Sequence, residues 1–230
     1  MKIISWDVGI YNLAYCILEK KNDTSIDILH WDVININESN NVDIKHCTQK
    51  LNNNKSCKAK AKFHKNNTSY YCARHSKKIN NLKQIKKPKK KKYNLLEVGT
   101  NLINKLTNFE FMLDVDLCII ENQPVLKNPR MKSIQMILYS YFLIHGLTQT
   151  SSSISDIKLC SARNKLKVYN GPPIEIICKN KYTKSKKLAI EHCKYFIKND
   201  PQHINFFLNH KKKDDLADSY LQGLWYLNKL

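Results

Sequence analysis

No apolar run in this sequence is long enough to cross a bilayer. The longest nearly unbroken one, Met136 to Leu147, falls short of the ~20 residues that a spanning helix needs. A long amphipathic basic helix of the kind that lies on an anionic membrane is also missing. A secretory leader is not expected either, because Asp7 in MKIISWDVGIYN stands where such a leader needs its apolar stretch. A soluble, intracellular protein with no membrane partner is expected. No internal repeat is evident. Acidic residues are the scarce charge: 19 Asp and Glu stand against 39 Lys and Arg, a formal net charge of +20. A surface so positive attracts polyanions, nucleic acid first, and releases their counterions on binding. With 230 residues and 42% hydrophobic content, disorder throughout is excluded and one main domain with an insertion is expected. The eight cysteines, in a reducing compartment, read as buried apolar residues or metal ligands rather than disulfides.

The first 36 residues read as a meander of three antiparallel strands, KIISWDVG, NLAYCILEK and SIDILHWDVININ, rich in β-branched and aromatic residues. From Val42 to Lys92 the chain turns polar, Asn-rich and Lys-rich and ends in IKKPKKKKY, the composition of an insertion with a basic tail. Tyr93 to Leu106 carries Leu95, Leu96, Val98, Leu102, Ile103 and Leu106 at helical spacing. Val115 to Ile120 is a short continuous apolar run, as a buried central strand requires, with Glu121 at its C-terminal end. Met131 to Gly146 reads as a long helix, Thr148 to Ser153 as a further strand, and Thr183 to Lys198 and Asp214 to Leu227 as two more helices.

KKKDDLADSYLQGLWYL sets three aspartates in the first turns of the last helix. Capping explains one or two of them, since free backbone N–H groups and the dipole stabilise anions there. The third repels its neighbours on the shared face unless a cation lies between them. Asp7 in the first strand, Glu121 at a strand end, and Asp215 and Asp218 on the helix can converge, because open α/β sheets place ligands at strand ends. Four such carboxylates beside a basic surface suit two Mg²⁺ ions acting on a phosphodiester. The bland alternatives are a turn at Asp7, a solvated strand end at Glu121 and caps at the aspartates. In the insertion, Cys47, Cys57, Cys72 and His75 give C-x9-C-x14-C-x2-H. A polar segment of this size lacks the apolar content to fold alone, which a Cys₃His zinc site remedies, with His46 and His64 as substitute ligands. Free thiols are the alternative. Cys16, Cys118, Cys160, Cys178 and Cys193 lie in or near apolar segments and read as packing residues.

Taken in order, ISWDVGIYNLAYCIL, IIENQPVLKNPRMKSIQMILYSYF, SARNKLKVYNGPP, YTKSKKLAIEHC and KKKDDLADSYLQGLWYL resemble the RuvC-like Holliday junction resolvases of poxviruses and other large DNA viruses. They resemble the mitochondrial resolvases of fungi less closely. The resemblance covers nearly the whole chain outside 42–92, an insertion that bacterial RuvC lacks. It implies an α/β, ribonuclease H-like fold over 1–230, a mixed central sheet flanked by helices. It also implies a homodimer that uses Mg²⁺ or Mn²⁺ to cut two opposing strands of branched, four-way DNA, in the cytoplasm of an infected host cell if the viral likeness holds. Under it Asp7, Glu121, Asp215 and Asp218 are the catalytic metal-binding acids. Asp214 is an extra acid on the face of Asp218, so choosing Asp215 over it rests on the family pattern. Leu216, Tyr220, Gly223 and Leu227 form the buried stripe. The family's basic segment matches Lys186 and Lys187 best and Lys165 and Lys167 next, as lysines that meet DNA phosphate. Rival readings are a ribonuclease H-fold hydrolase of RNA–DNA hybrids and a non-catalytic nucleic-acid-binding module.

Overall fold

The computed structural model describes residues 1–22, 25–36, 45–51, 54–85, 94–178 and 180–229. The chain falls into two compact units, Met1–Asn37 with Tyr93–Leu230, and Glu38–Lys92. The larger unit opens with β1 (Lys2–Val8), β2 (Asn12–Lys20) and β3 (Ile26–Asn35), the expected antiparallel meander. Gly9 makes the first turn possible, since a Cβ there would lie 2.5 Å from the Asn12 carbonyl oxygen.

The smaller unit holds β4 (Phe63–Lys65), β5 (Ser69–Tyr71) and β6 (Lys83–Gln84), a three-stranded sheet in the order β5-β4-β6. Asn66 and Asn67, both at positive φ, turn β4 into β5, and Asn54 and Asn81 take the same left-handed conformation. Asparagine tolerates that region better than other residues with a side chain, so these turns form without glycine. The lysine tail expected at the end of the insertion falls on residues 86–92, outside the described residues.

The larger unit resumes with α1 (Leu95–Leu106), started by a capping box between Asn94 and Glu97. Val98, Leu102 and Leu106 are buried, whereas Leu95 and Leu96, which share the apolar spacing in the sequence, are exposed in the first turn. β7 (Leu117–Glu121) is buried throughout and pairs parallel with β1, interior to the sheet as its apolar run requires. α2 (Pro129–Phe142) begins two residues earlier than expected, with Asn128 as cap and Pro129 in the first turn, and ends in a π turn over Leu143–Leu147. Thr148 to Ser153 is not a strand. It closes the π turn with bonds from Gln149 N–H to the Gly146 carbonyl and from Ser152 N–H to that of Gln149. The strand is β8 (Asp156–Cys160), whose DIKLC pairs parallel with β7. Then follow α3 (Lys181–Ile197), α4 (Pro201–Asn209), which was not anticipated, and α5 (Lys213–Leu227).

The five-stranded sheet runs β3-β2-β1-β7-β8 and carries an apolar layer on each face. Alternation along β1 sends Ile4, Trp6 and Val8 towards α1 and α2, and Ile3 to the layer of α3, α4 and α5. α5 packs on that second face through Leu216, Tyr220, Leu224 and Leu227. Gly223 lets it come close: a Cβ there would lie 2.8 Å from Leu18 Cδ1 and 3.0 Å from Ser5 Cβ. Gln222 Nε2 pins the contact by donating to Ser5 Oγ and to the Trp6 carbonyl, each at 3.1 Å. At the start of α5, Trp31 stacks on Phe207 of α4 and donates from Nε1 to the Leu216 carbonyl at 3.0 Å. No helix is long and apolar enough to cross a membrane among the described residues.

Candidate active site

Parallel pairing decides where the first two acids meet. β1 and β7 run in register with Ser5 opposite Ile119 and Trp6 opposite Ile120. One residue further, Asp7 and Glu121 stand side by side on the α5 face, at the carboxyl ends of neighbouring strands. Asp218 reaches the same point from the second turn of α5. Lys165, from a 3₁₀ turn over Lys165–Val168, lies among them, its Nζ 2.5 Å from Asp218, 3.0 Å from Glu121 and 3.9 Å from Asp7. All four side chains are at most 17% exposed. Three carboxylates thus share one ammonium ion in a nearly dry place.

The electrostatics follow from that imbalance. Burial pushes Asp7 well above the ordinary carboxylate range, reinforced by the charge of Glu121. Burial also raises Asp218, to about 6, even though Lys165 pulls it down. Burial would raise Glu121 too, but Lys165 together with hydrogen bonds from Asp7, Lys165 and Gln123 holds it below its usual value. Within the Asp7–Glu121 pair a shared proton thus favours Asp7. Burial alone would lower Lys165, yet the charges of Asp218, Asp7 and Glu121 hold it firmly protonated.

The remaining expected residues separate. Asp215 lines the same cleft, of roughly 750 Å³, but pairs with Lys212 at 3.3 Å. Asp214 is taken by Lys186, whose bond to it holds Asp214 below its ordinary range in spite of burial. Lys186 lines the cleft; Lys187, the next residue on α3 and so ~100° further round, lies with Ile174, Glu175 and Glu191 instead. Lys167 is exposed and donates to Asn164 Oδ1 at 3.1 Å, away from the acids. The structure thus gathers Asp7, Glu121, Asp218 and Lys165 and sets Lys187 and Lys167 apart.

Sequence reading missed Gln123. Its Nε2 donates to Glu121 Oε1 at 3.0 Å and its backbone N–H donates to Gln135 Oε1 at 2.8 Å, which orients the glutamate. Arg163 and Tyr182 of the cleft wall were missed as well. The only signal for Gln123 was its place two residues after the strand-end acid.

In the smaller unit the ligand atoms of Cys47, Cys57, Cys72 and His75 all lie within 4.8 Å of one another. Cys47 Sγ and Cys72 Sγ stand 3.3 and 3.5 Å from His75 Nδ1. A backbone N–H of His75 is the main cause that lowers the Cys72 thiol pKa, which favours a thiolate ligand. A Cys₃His cluster able to hold a metal ion is therefore present. His46 and His64 are not part of this cluster; His46 Nδ1 meets the Lys58 carbonyl and His64 Nδ1 accepts the Asn67 N–H. Cys16, Cys118, Cys160 and Cys193 are buried packing residues, while Cys178 is only half-buried.

A family model described as mitochondrial resolvase Ydc2 / RNA splicing MRS1 matches residues 3–125, more than half of the chain. The chain belongs to this family. The matched stretch contains Asp7 and Glu121, so the Ydc2/MRS1 model reaches both strand-borne acids. The uncharacterized protein L451 of Acanthamoeba polyphaga mimivirus is 33% identical over 312 residues, covering 99% of this chain and 74% of that protein. Among solved structures, the yeast mitochondrial Holliday junction resolvase Ydc2 is 16% identical, with a TM-score of 0.53 over 98% of this chain and 78% of its own. The fowlpox virus resolvase, solved with Holliday junction DNA, is also 16% identical, with a TM-score of 0.53 over 100% of this chain and 98% of its own. These likenesses bear out the resemblance read from the motifs and establish a RuvC-like, ribonuclease H-like fold for this Ydc2/MRS1 family member.

Proposed function

We propose that the protein is a metal-dependent endonuclease that resolves four-way DNA junctions by paired, symmetric nicks, acting as a homodimer. The observation that carries this reading is the convergence of Asp7, Glu121 and Asp218 from three separate elements around Lys165, in a cleft also lined by Lys186 and Arg163. The site fits Mg²⁺ or Mn²⁺ by its chemistry. Its donors are carboxylate oxygens, and three of these carboxylates face a single ammonium ion. Asp7, Glu121 and Asp218 would hold the metal, with Asp215 at the cleft wall as the fourth ligand. When bound, the metal supplies Lewis-acid stabilisation of the charge that develops on the phosphate.

The chain's own groups do the rest. Gln123 fixes the rotamer of Glu121 from one side and Lys165 from the other. Lys165 and Lys186 present cations to a phosphate entering the cleft, and Asp214 holds Lys186 in place. The zinc assignment for Cys47, Cys57, Cys72 and His75 belongs to the same proposal, with 42–92 as a zinc-holding, Lys-rich insertion. A dimer with two identical sites matches the two symmetry-related phosphates of a junction. The viral likeness to L451 supports action in the cytoplasm of an infected cell.

The test compares a four-way junction, a linear duplex and an RNA–DNA hybrid in Mg²⁺ at moderate salt. Wild-type protein is expected to nick opposing strands of the junction at symmetric positions, leaving ligatable duplexes. Asp7→Asn, Glu121→Gln and Asp218→Asn are expected to bind the junction and not cut it. A hybrid cut fastest would assign the site to hybrid hydrolysis. Activity that survives all three substitutions would overturn the catalytic reading.

A further inference from the structure

The net charge of this protein is concentrated in one place. Residues 45–92 hold 17 of the 39 lysines and arginines and none of the 19 acids, so the rest of the chain is nearly balanced. Within this stretch every described lysine and arginine is exposed. Lys58, Lys60 and Lys62 alternate with Cys57, Ala59 and Ala61, of which Cys57 and Ala61 are buried. The segment is held in a ladder by Cys47 N–H to Ala59 O, Cys57 N–H to Gln49 O and Ala61 N–H to Lys45 O. The cysteines that gather at the metal cluster thus force the lysines between them outward.

We propose that this cysteine-clasped unit is a duplex-DNA clamp, in which an acid-free row of lysines grips the phosphate backbone of a junction arm without reading sequence. The inference rests on the junction-nuclease reading only for its choice of DNA as the polyanion. Three observations select duplex backbone over other polyanions. Phe63 and Tyr70 are half-buried and Tyr71 is buried, so no described Phe or Tyr of the unit is exposed as a stacking platform for single-stranded bases. Leu51 is the only large exposed apolar side chain among the unit's described residues, too little to enter a lipid surface. The lysines of the larger unit's cleft are engaged by carboxylates, Lys165 by three, Lys186 by Asp214 and Lys212 by Asp215, which leaves most of the bulk affinity to be supplied elsewhere.

The test measures binding of the full chain to a short linear duplex without Mg²⁺, over a range of NaCl concentrations. Replacing Lys58, Lys60 and Lys62 together by Gln is expected to reduce the slope of log K against log[NaCl] by about 2–3, because each phosphate contact contributes about 0.9. At 0.1 M salt the affinity is expected to fall on the order of a hundredfold. A control with the same loss of charge, Lys21→Gln, Lys194→Gln and Lys198→Gln, is expected to change the slope by much less. Bound zinc and melting temperature check that the variants fold, and Lys65→Gln with Lys77→Gln and Lys78→Gln is a second variant set should the first lose zinc. Equal slopes in clamp and control variants would overturn the proposal, as would tighter binding to single strands or to phosphatidylserine vesicles than to duplex. An unchanged slope in a protein that still cuts junctions defeats the clamp alone, and a reduced slope in a protein that cuts nothing defeats the nuclease reading alone.

Discussion

Replacing Lys165 by Met removes the one cation shared by Asp7, Glu121 and Asp218, and two routes compete for the cost. If all three carboxylates stayed ionised, breaking such a buried pair would cost about 3–5 kcal/mol. The alternative is to take up a proton. Asp218 already titrates near 6 with Lys165 beside it, so protonating it at pH 7.5 costs at most ~2 kcal/mol, at 1.36 kcal/mol per unit. The cheaper route sets the loss. Lys165→Met is therefore expected to destabilise the metal-free protein by no more than about 2 kcal/mol at pH 7.5, roughly 4–8 °C in melting temperature for a chain of this size. Near pH 6 Asp218 is half protonated in the wild type, and the difference is expected to shrink towards zero. Thermal unfolding of both proteins in EDTA at the two pH values is the assay. Saturating Mg²⁺ is expected to narrow the gap at pH 7.5, since a divalent ion supplies the missing positive charge. A loss of equal size at both pH values would refute the reasoning and make Lys165 a packing residue, not a counter-ion.

Asp218→Asn is expected to stabilise the metal-free protein at neutral pH. A carboxyl raised from 3.8 to about 6 by folding binds extra protons in the native state between those values, so stability is lost as pH rises through 6, by about 3 kcal/mol. The gain of the Asn variant over wild type should thus be present at pH 7 and vanish towards pH 4, as followed by denaturant unfolding across that range. Cys72→Ser is expected to abolish a zinc content of one ion per chain, measured by elemental analysis after dialysis; zinc-free wild-type protein that remains folded would refute the assignment. Gly223→Ala places a methyl group against Leu18 and Ser5 and is expected to cost about 1–3 kcal/mol by overpacking. Because α5 must move to make room, Mg²⁺ affinity should fall as well, and calorimetry that finds it unchanged would show that Asp218 does not depend on that contact.

The sheet was legible because its strands carry unmixed signals. KIISWDV is rich in β-branched residues, NLAYCILEK is a short apolar run bounded by polar turns, and LCII has no polar residue to place on an exposed face. Glu121 at the end of such a run pointed to the site for the same reason. α4 was missed although DPQH carries its own start signal, an Asp200 cap and Pro201, because the apolar residues of PQHINFFLN are too few to show a period. The Thr148 to Ser153 error has a local cause: Thr148 spends its hydroxyl on the Ile144 carbonyl and closes the preceding turn, so its β-branch builds no strand. Lys165 was ranked below Lys186 because nothing in SARNKLKVY distinguishes the central lysine from Lys167. Only the 3₁₀ turn, set by how Val168 buries against α3 and α5, decides which of them faces the acids.

The order in which the site's parts occur along the chain also bears on how the site is completed. Asp7 and Glu121 are in place once β1 and β7 have paired, but the third acid waits on α5, whose docking contacts at Leu216, Tyr220, Gln222, Gly223 and Leu227 all lie well beyond residue 200. The acid cluster is therefore complete only when a helix from late in the sequence has closed over strands from its beginning and middle, so a chain cut before α5 is expected to lack both the third acid and the cover of that sheet face.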